Sequence, residues 1–260
     1  MIKILKYSFY DLMRSRWSSV NFAFYLVLGF VLLFLNNDVN KAVITLMNII
    51  IVLTPLIATV FGVMYYYNSK EFTELLLAQP IKRSTIFMGQ YLGISISLTL
   101  SLVLGLGIPF LMYGLFLSAA VFDFALLLAV GSLLNFIFVA LAFNIAMSNE
   151  NKIKGFGYAI LLWLFMAVIY DGIFLISLVV FNEYPLDRLA LFATMFNPID
   201  LSRILILLKL DISALLGYTG AVFKTFFGTG LGFFLSISIM VLWVLIPVGR
   251  MRLKLKKKDF

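Results

Sequence analysis

The sequence has no cysteine and no histidine among its 260 residues, and only 12% of it is charged. Without thiols there are no disulfides and no thiolate metal sites. Without imidazoles there is no histidine ligand, no histidine general base and no Ser-His nucleophile pair. The phosphate-cradling pattern G-x-x-x-x-G-K-[ST] is missing as well. Gly228-Thr-Gly-Leu-Gly232 has no Lys after it and reads as the start of a helix. No nucleophile–base pair or carboxylate pair stands out, so there is no catalytic residue to name and no cofactor or metal site expected in this chain. The eleven Met residues are scattered and read as apolar filler, not as a soft-metal path.

What the chain has instead is apolar length. Hydrophobic residues make up 63% of it, more than one water-soluble core could hide. They fall into six blocks at Trp17–Leu35, Ala42–Tyr66, Ile86–Ile108, Phe124–Met147, Gly155–Phe181 and Phe226–Val248. Each is close to the roughly 17–25 residues that cross a bilayer as a helix. Tyr65, Tyr66 and Tyr67 close the second block, where aromatic rings prefer the interface, and Pro109 is expected to end or kink the third. The predicted fold is therefore an all-α integral membrane domain over residues 1–260.

The net charge of +8 is placed for lipid headgroups, not nucleic acid. Fifteen of the 20 Lys and Arg lie in the N-terminal segment, the second and fourth connectors and the tail. Five lie in the other connectors: Lys41, Arg188, Arg203, Lys209 and Lys224. The positive-inside bias predicts that both termini are cytoplasmic. Residues 1–16 read as an interfacial amphipathic helix, not a cleaved signal peptide. Lys3, Lys6, Tyr10 and Arg14 lie on one side of it, with Ile2, Leu5, Phe9, Leu12 and Met13 opposite.

Three features could carry function. Residues 69–80 read as a short helix stopped by Pro80, with Phe72, Leu75 and Leu76 apolar and Lys70, Glu71 and Glu74 wet. It either lies on the inner leaflet or docks into a cytosolic motor. Its acids, repelled by an anionic leaflet, favour docking. Residues 182–225 form the one long external segment. Leu189–Phe196 and Ser202–Leu210 are too short to cross and read as two helices on or dipping into the outer leaflet, with Asp200 placed as a cap. Asp171 is the one ionisable residue well inside a span, either functional or hydrogen-bonded between helices. In the third span Gly89, Gly93, Ser97, Ser101 and Gly105 recur every fourth residue, a helix-packing signal.

Taken together, six spans, a basic starting helix, a first cytoplasmic loop of this kind and an element before the last span resemble the type-2 ABC export permeases. Within them, Tyr65–Pro80, Tyr170-Asp171, Asn197–Arg203 and Ala214–Phe223 look like the permease subunits of nitrous-oxide-reductase maturation transporters. That resemblance implies a homodimer in the bacterial inner membrane with a cytosolic ABC ATPase dimer, ATP and Mg being held by that ATPase. It also implies a periplasmic copper-binding β-helix protein on the outer face, the task being copper delivery, with sulfur left open. Carried over, Glu71, Phe72, Glu74, Leu75 and Leu76 would meet the ATPase, and Asn197, Asp200 and Arg203 the periplasmic partner. Two alternatives stay open: an exporter of lipid, drug or polysaccharide with the same architecture, and a secondary transporter using Asp171, although no repeated halves are visible.

Overall fold

A computed structural model describes residues 2–14, 16–118, 120–181, 187–209 and 229–257. Among these, helices follow in the order α1 (Ile2–Arg14), α2 (Arg16–Asn36), α3 (Val39–Asn68), α4 (Lys70–Leu77), α5 (Arg83–Met112), α6 (Val121–Ala146), α7 (Lys152–Leu164), α8 (Tyr170–Val180), α9 (Asp187–Met195), α10 (Pro198–Lys209) and α11 (Gly230–Lys257). A π turn, Phe165–Ile169, joins α7 to α8 so that they run as one span. Six helical stretches are long and apolar enough to cross a membrane: α2, α3, α5, α6, the α7–α8 span and α11. The stretch Ala214–Phe223 and the expected start of the sixth span at Phe226 lie outside the described residues.

The centre of the bundle is α3, α5 and α6, which bury about half of their most apolar windows; the fifth span buries only 11% of its own. The small-residue stripe of α5 does what its spacing suggested. A side-chain carbon added at Gly89 or Gly93 would lie 2.8 Å from Ile4 or 2.7 Å from Ser8 of α1. Farther along, Ser97 meets Ser18 of α2 at 3.5 Å between hydroxyls, and Gly105 lies under Tyr25 and the Phe22 carbonyl. The stripe is thus a track on which α1 and then α2 lie. It also shifts the amphipathic face of α1. Ser8 is fully buried against Gly93 whereas Ile2 is exposed, so close approach to glycine outranks hydrophobicity at this contact.

Pro109 neither ends α5 nor stands near its end by accident. The helix continues to Met112, and Gly29 of α2 faces the proline ring with no room for a side chain. The turn that does stop it uses Gly114 at φ 88°, a left-handed conformation that glycine adopts without strain. Asp38 caps α3 by accepting a bond from the Asn40 amide at 2.8 Å.

Contacts at one end tie the last turn of α3, the α6–α7 connector and the last turns of α11 together. Tyr67 donates from its hydroxyl to the Asn149 carbonyl at 2.7 Å, and Lys152 donates to Asn68 at 3.1 Å. Lys254 donates to Ser148 and to the Asn144 carbonyl, while Asn144 donates to the Pro247 carbonyl at 2.8 Å. This is the end richest in Lys and Arg.

Candidate functional site

At the basic end α4 has the place expected of it, but it runs only Lys70–Leu77 within the expected 69–80, and it does not present the expected face. Phe72 turns inward and stacks on Tyr7 of α1 with ring centroids 4.5 Å apart. Leu75 points out, 69% exposed, and Leu76 is half-buried. Phe72, Leu75 and Leu76 therefore do not form one free apolar face. The exposed surface is Glu71, Glu74, Leu75 and Lys70, with a loose Lys70–Glu74 ion pair at 3.8 Å. Such an exposed pair contributes little.

The anchor of α4 is polar and was not anticipated. Thr73 is buried, and Gln90 of α5 donates from its amide to the Thr73 hydroxyl at 2.8 Å. Thr73 in turn donates to the Ser69 carbonyl at 2.7 Å. α4 is therefore fastened at two points: by Phe72–Tyr7 to α1 and by Thr73–Gln90 to α5. The readable signals were Thr73 on the side of α4 away from Leu75 and an amide, Gln90, near the charged start of a span.

The second site lies inside the bundle. The α9 and α10 helices form a hairpin whose tip, Asn197-Pro198, is buried. Asn197 Nδ2 donates to the Met166 carbonyl in the π turn at 2.7 Å, and Trp243 of α11 donates to the Met195 carbonyl at 3.1 Å. Met166 is near the middle of its span, about 20 Å from either end of Lys152–Val180 at ~1.5 Å per residue, and Trp243 is as far in from the start of α11 at Gly230. The hairpin is thus re-entrant. Ile199, Leu201, Ile204, Leu205, Ile206 and Leu207 of α10 are all buried, against α3, α6 and α11. A helix lying on the outer leaflet would leave one face uncovered; this one has bundle on every side because its apolar residues run all the way round.

Asn197, not Asp200, caps α10: its Oδ1 accepts from the Ile199 amide at 3.1 Å, with Pro198 at the first helical position. Asp200, one turn in, accepts from Asn197 Nδ2 at 2.9 Å. Arg203 Nη1 donates to Asp200 at 3.2 Å and to Asp171 of α8 at 2.7 Å. Tyr170 donates from its hydroxyl to the Ala193 carbonyl at 2.6 Å. One guanidinium thus serves two carboxylates from two elements. The side chains are 27% (Asp171), 30% (Arg203) and 10% (Asp200) exposed. So Asp171 and the set Asn197, Asp200 and Arg203, read as separate features in the sequence, are one cluster. Asn197 and Asp200 face the fifth span because the re-entrant tip carries them inward. The π turn is the member that sequence reasoning missed, since no residue pattern marks one, and Tyr170 was named beside Asp171 without a role.

Among the described residues no group of three or more Asp or Glu could hold a metal ion.

No family model matches the chain. It is similar to the probable ABC transporter permease protein NosY of Pseudomonas aeruginosa, 27% identical over 188 residues, which covers 68% of this chain and 67% of that protein. It is also similar to the probable ABC transporter permease protein NosY of Stutzerimonas stutzeri, 28% identical over 182 residues, 65% of this chain and 60% of that protein. The matched stretch spans roughly two thirds of either relative. The likeness bears out the resemblance read from the residues: these relatives are ABC transporter permeases, and the six-span all-α fold fits a multi-pass subunit of that kind.

Proposed function

We propose that this homologue of ABC transporter permeases is the membrane lever of an ATP-driven transporter in the bacterial inner membrane. It works as a homodimer with two copies of a cytosolic ABC ATPase. The basic end, with both termini and α4, faces the cytoplasm, in line with the charge bias. Glu71, Glu74 and Leu75 meet the ATPase directly. Phe72 and Leu76 pass the load inward, which makes α4 a coupling helix instead of a leaflet anchor. The observation that carries this is the geometry of α4: an exposed outer edge with its inner side locked by two separate contacts to α1 and α5. The chain itself performs no chemistry. Nucleotide binding on the partner biases two arrangements of the spans by its differential affinity for them.

The substrate side of the proposal is narrower. The likeness to proteins named NosY, together with the stretches Tyr65–Pro80 and Asn197–Arg203, supports a part in maturing nitrous oxide reductase. The complex would supply copper, and with it sulfur, through a periplasmic copper-binding β-helix protein seated on the outer end. Asn197, Asp200 and Arg203 serve that partner by holding the hairpin, without touching it. The fifth span, the least covered of the six, is where the second copy fits.

The test is complementation. A strain lacking this chain should produce nitrous oxide reductase depleted of copper, wild type should restore it, and Leu75→Asp should not. Normal reductase copper in the deletion strain, with a lipid or polysaccharide missing from the outer surface, would instead establish the exporter alternative.

A further inference from the structure

We infer that the outer half of the fifth span is a hinged arm, with the π turn as its hinge and the Asp171–Arg203 pair as its catch. The two halves of this span are held very differently. The inner half, α7, is packed: Ala159 is buried, Gly155 lies under Tyr67, and Trp163 donates to the Val52 carbonyl of α3 at 3.1 Å. None of the described side chains of the outer half, α8, is buried. Its described polar ties to the rest of the fold all fall at its first two residues: Tyr170 to Ala193 at 2.6 Å, and Asp171 to Arg203 at 2.7 Å and to Asp200.

Between the halves, Phe165–Ile169 adopts the π form, in which the regular carbonyl pairing of the helix is broken. The carbonyl of Met166 is taken up by the Asn197 side chain of the hairpin. A break in the ladder is where a helix bends most easily. The hairpin on the other side of the catch is fixed, because α10 is buried in the bundle. Release of Asp171 from Arg203 and Asp200 leaves α8 with a described polar tie only at Tyr170, beside the hinge, so that its remainder can swing while α10 stays where it is. Arg203 keeps Asp200 as its partner when this happens, so release does not strand a cation among apolar side chains. The arm could move whichever cargo or partner the transporter serves, so the inference stands apart from the copper assignment.

The absence of native cysteine allows a direct test in the assembled transporter. Spin labels are placed by Val179→Cys on α8 and Leu117→Cys on the far connector, both exposed, and labelled chains are diluted with unlabelled ones. Pulsed electron spin resonance should give one narrow distance, any released arm being the minor state of about 0.1–10% expected of a two-state element. Asp171→Asn, which leaves the Arg203–Asp200 pair in place, should turn that distance into two populations. The exchanged pair Asp171→Arg with Arg203→Asp should return the single distance. An unchanged single distance in Asp171→Asn would overturn the hinge. So would two populations persisting in the exchanged pair, since the charge pairing would then not be the catch.

Discussion

Arg203→Ala should sharply reduce the amount of folded protein recovered from the membrane. The guanidinium is the only cation among the described partners of Asp171 and Asp200, and its removal leaves two carboxylates facing each other inside the bundle. Breaking a buried pair by deleting one member costs about 3–5 kcal/mol, because the surviving charge is left unpaired. Asp171 and Arg203 are each about a quarter to a third exposed, which places the expected loss near the bottom of that range, about 3 kcal/mol. Arg203→Lys should recover part of it, since an ammonium supplies charge but reaches two carboxylates less well than a planar guanidinium. Arg203→Ala with Asp171→Asn and Asp200→Asn should recover more than Arg203→Ala alone. Fluorescence-detected size exclusion after heating ranks these variants directly. If Arg203→Ala melts with the wild type, the cluster is not holding the hairpin.

A second large effect is expected from Gly105→Leu. Even one added carbon there would be 2.7 Å from the Tyr25 β-carbon and 3.1 Å from the Phe22 carbonyl, and neither is a flexible side-chain end. α2 would have to leave the track along α5. Tyr25 would move with it and lose its 3.3 Å contact with the Thr54 hydroxyl on α3, so one substitution loosens three spans. Overpacking of this kind costs about 1–3 kcal/mol and here should reach the upper value, about 3 kcal/mol. Gly107→Ala is the control two residues away, with nothing within 4 Å of the added carbon. It should match or slightly exceed wild-type thermal stability, because alanine is the better helix former. Equal losses from the two changes would mean that the close approach at Gly105 is not what holds α2 to α5.

These two cases also mark how far residue patterns reach into the fold. The spans were legible because each is a long uninterrupted apolar run, and the α5 stripe was legible because small residues at constant spacing have one common use in lipid. The existence of α4, α9 and α10 followed from breaks at Pro80 and Asn197-Pro198. Their surroundings did not. An apolar helix too long for a loop and too short to cross reads the same on a leaflet or inside a bundle. The depth of the hairpin was decided by Asn197, Trp243 and Arg203 finding partners on spans distant in sequence. Arg203 was counted among the outer basic residues for the same reason; its carboxylate partner Asp171 is 32 positions away on another element. At α4 the apolar positions were correctly identified, but which of them face inward depended on Tyr7 and Gln90, contributed by two other helices. Ser8, to which the sequence pattern assigned no face, is a polar residue buried because the glycine opposite lets the backbones close.

The measurement that bears most directly on the lever account is photo-crosslinking from α4 in the assembled transporter. A photoreactive amino acid replaces Leu75 in one preparation and Phe72 in another. Position 75, on the outer edge, should crosslink to the ATPase, with a yield that changes when nucleotide is bound. Position 72, stacked against α1, should crosslink within its own chain. Crosslinking of position 75 to lipid alone, in every nucleotide state, would contradict the account and return α4 to the role of a membrane anchor.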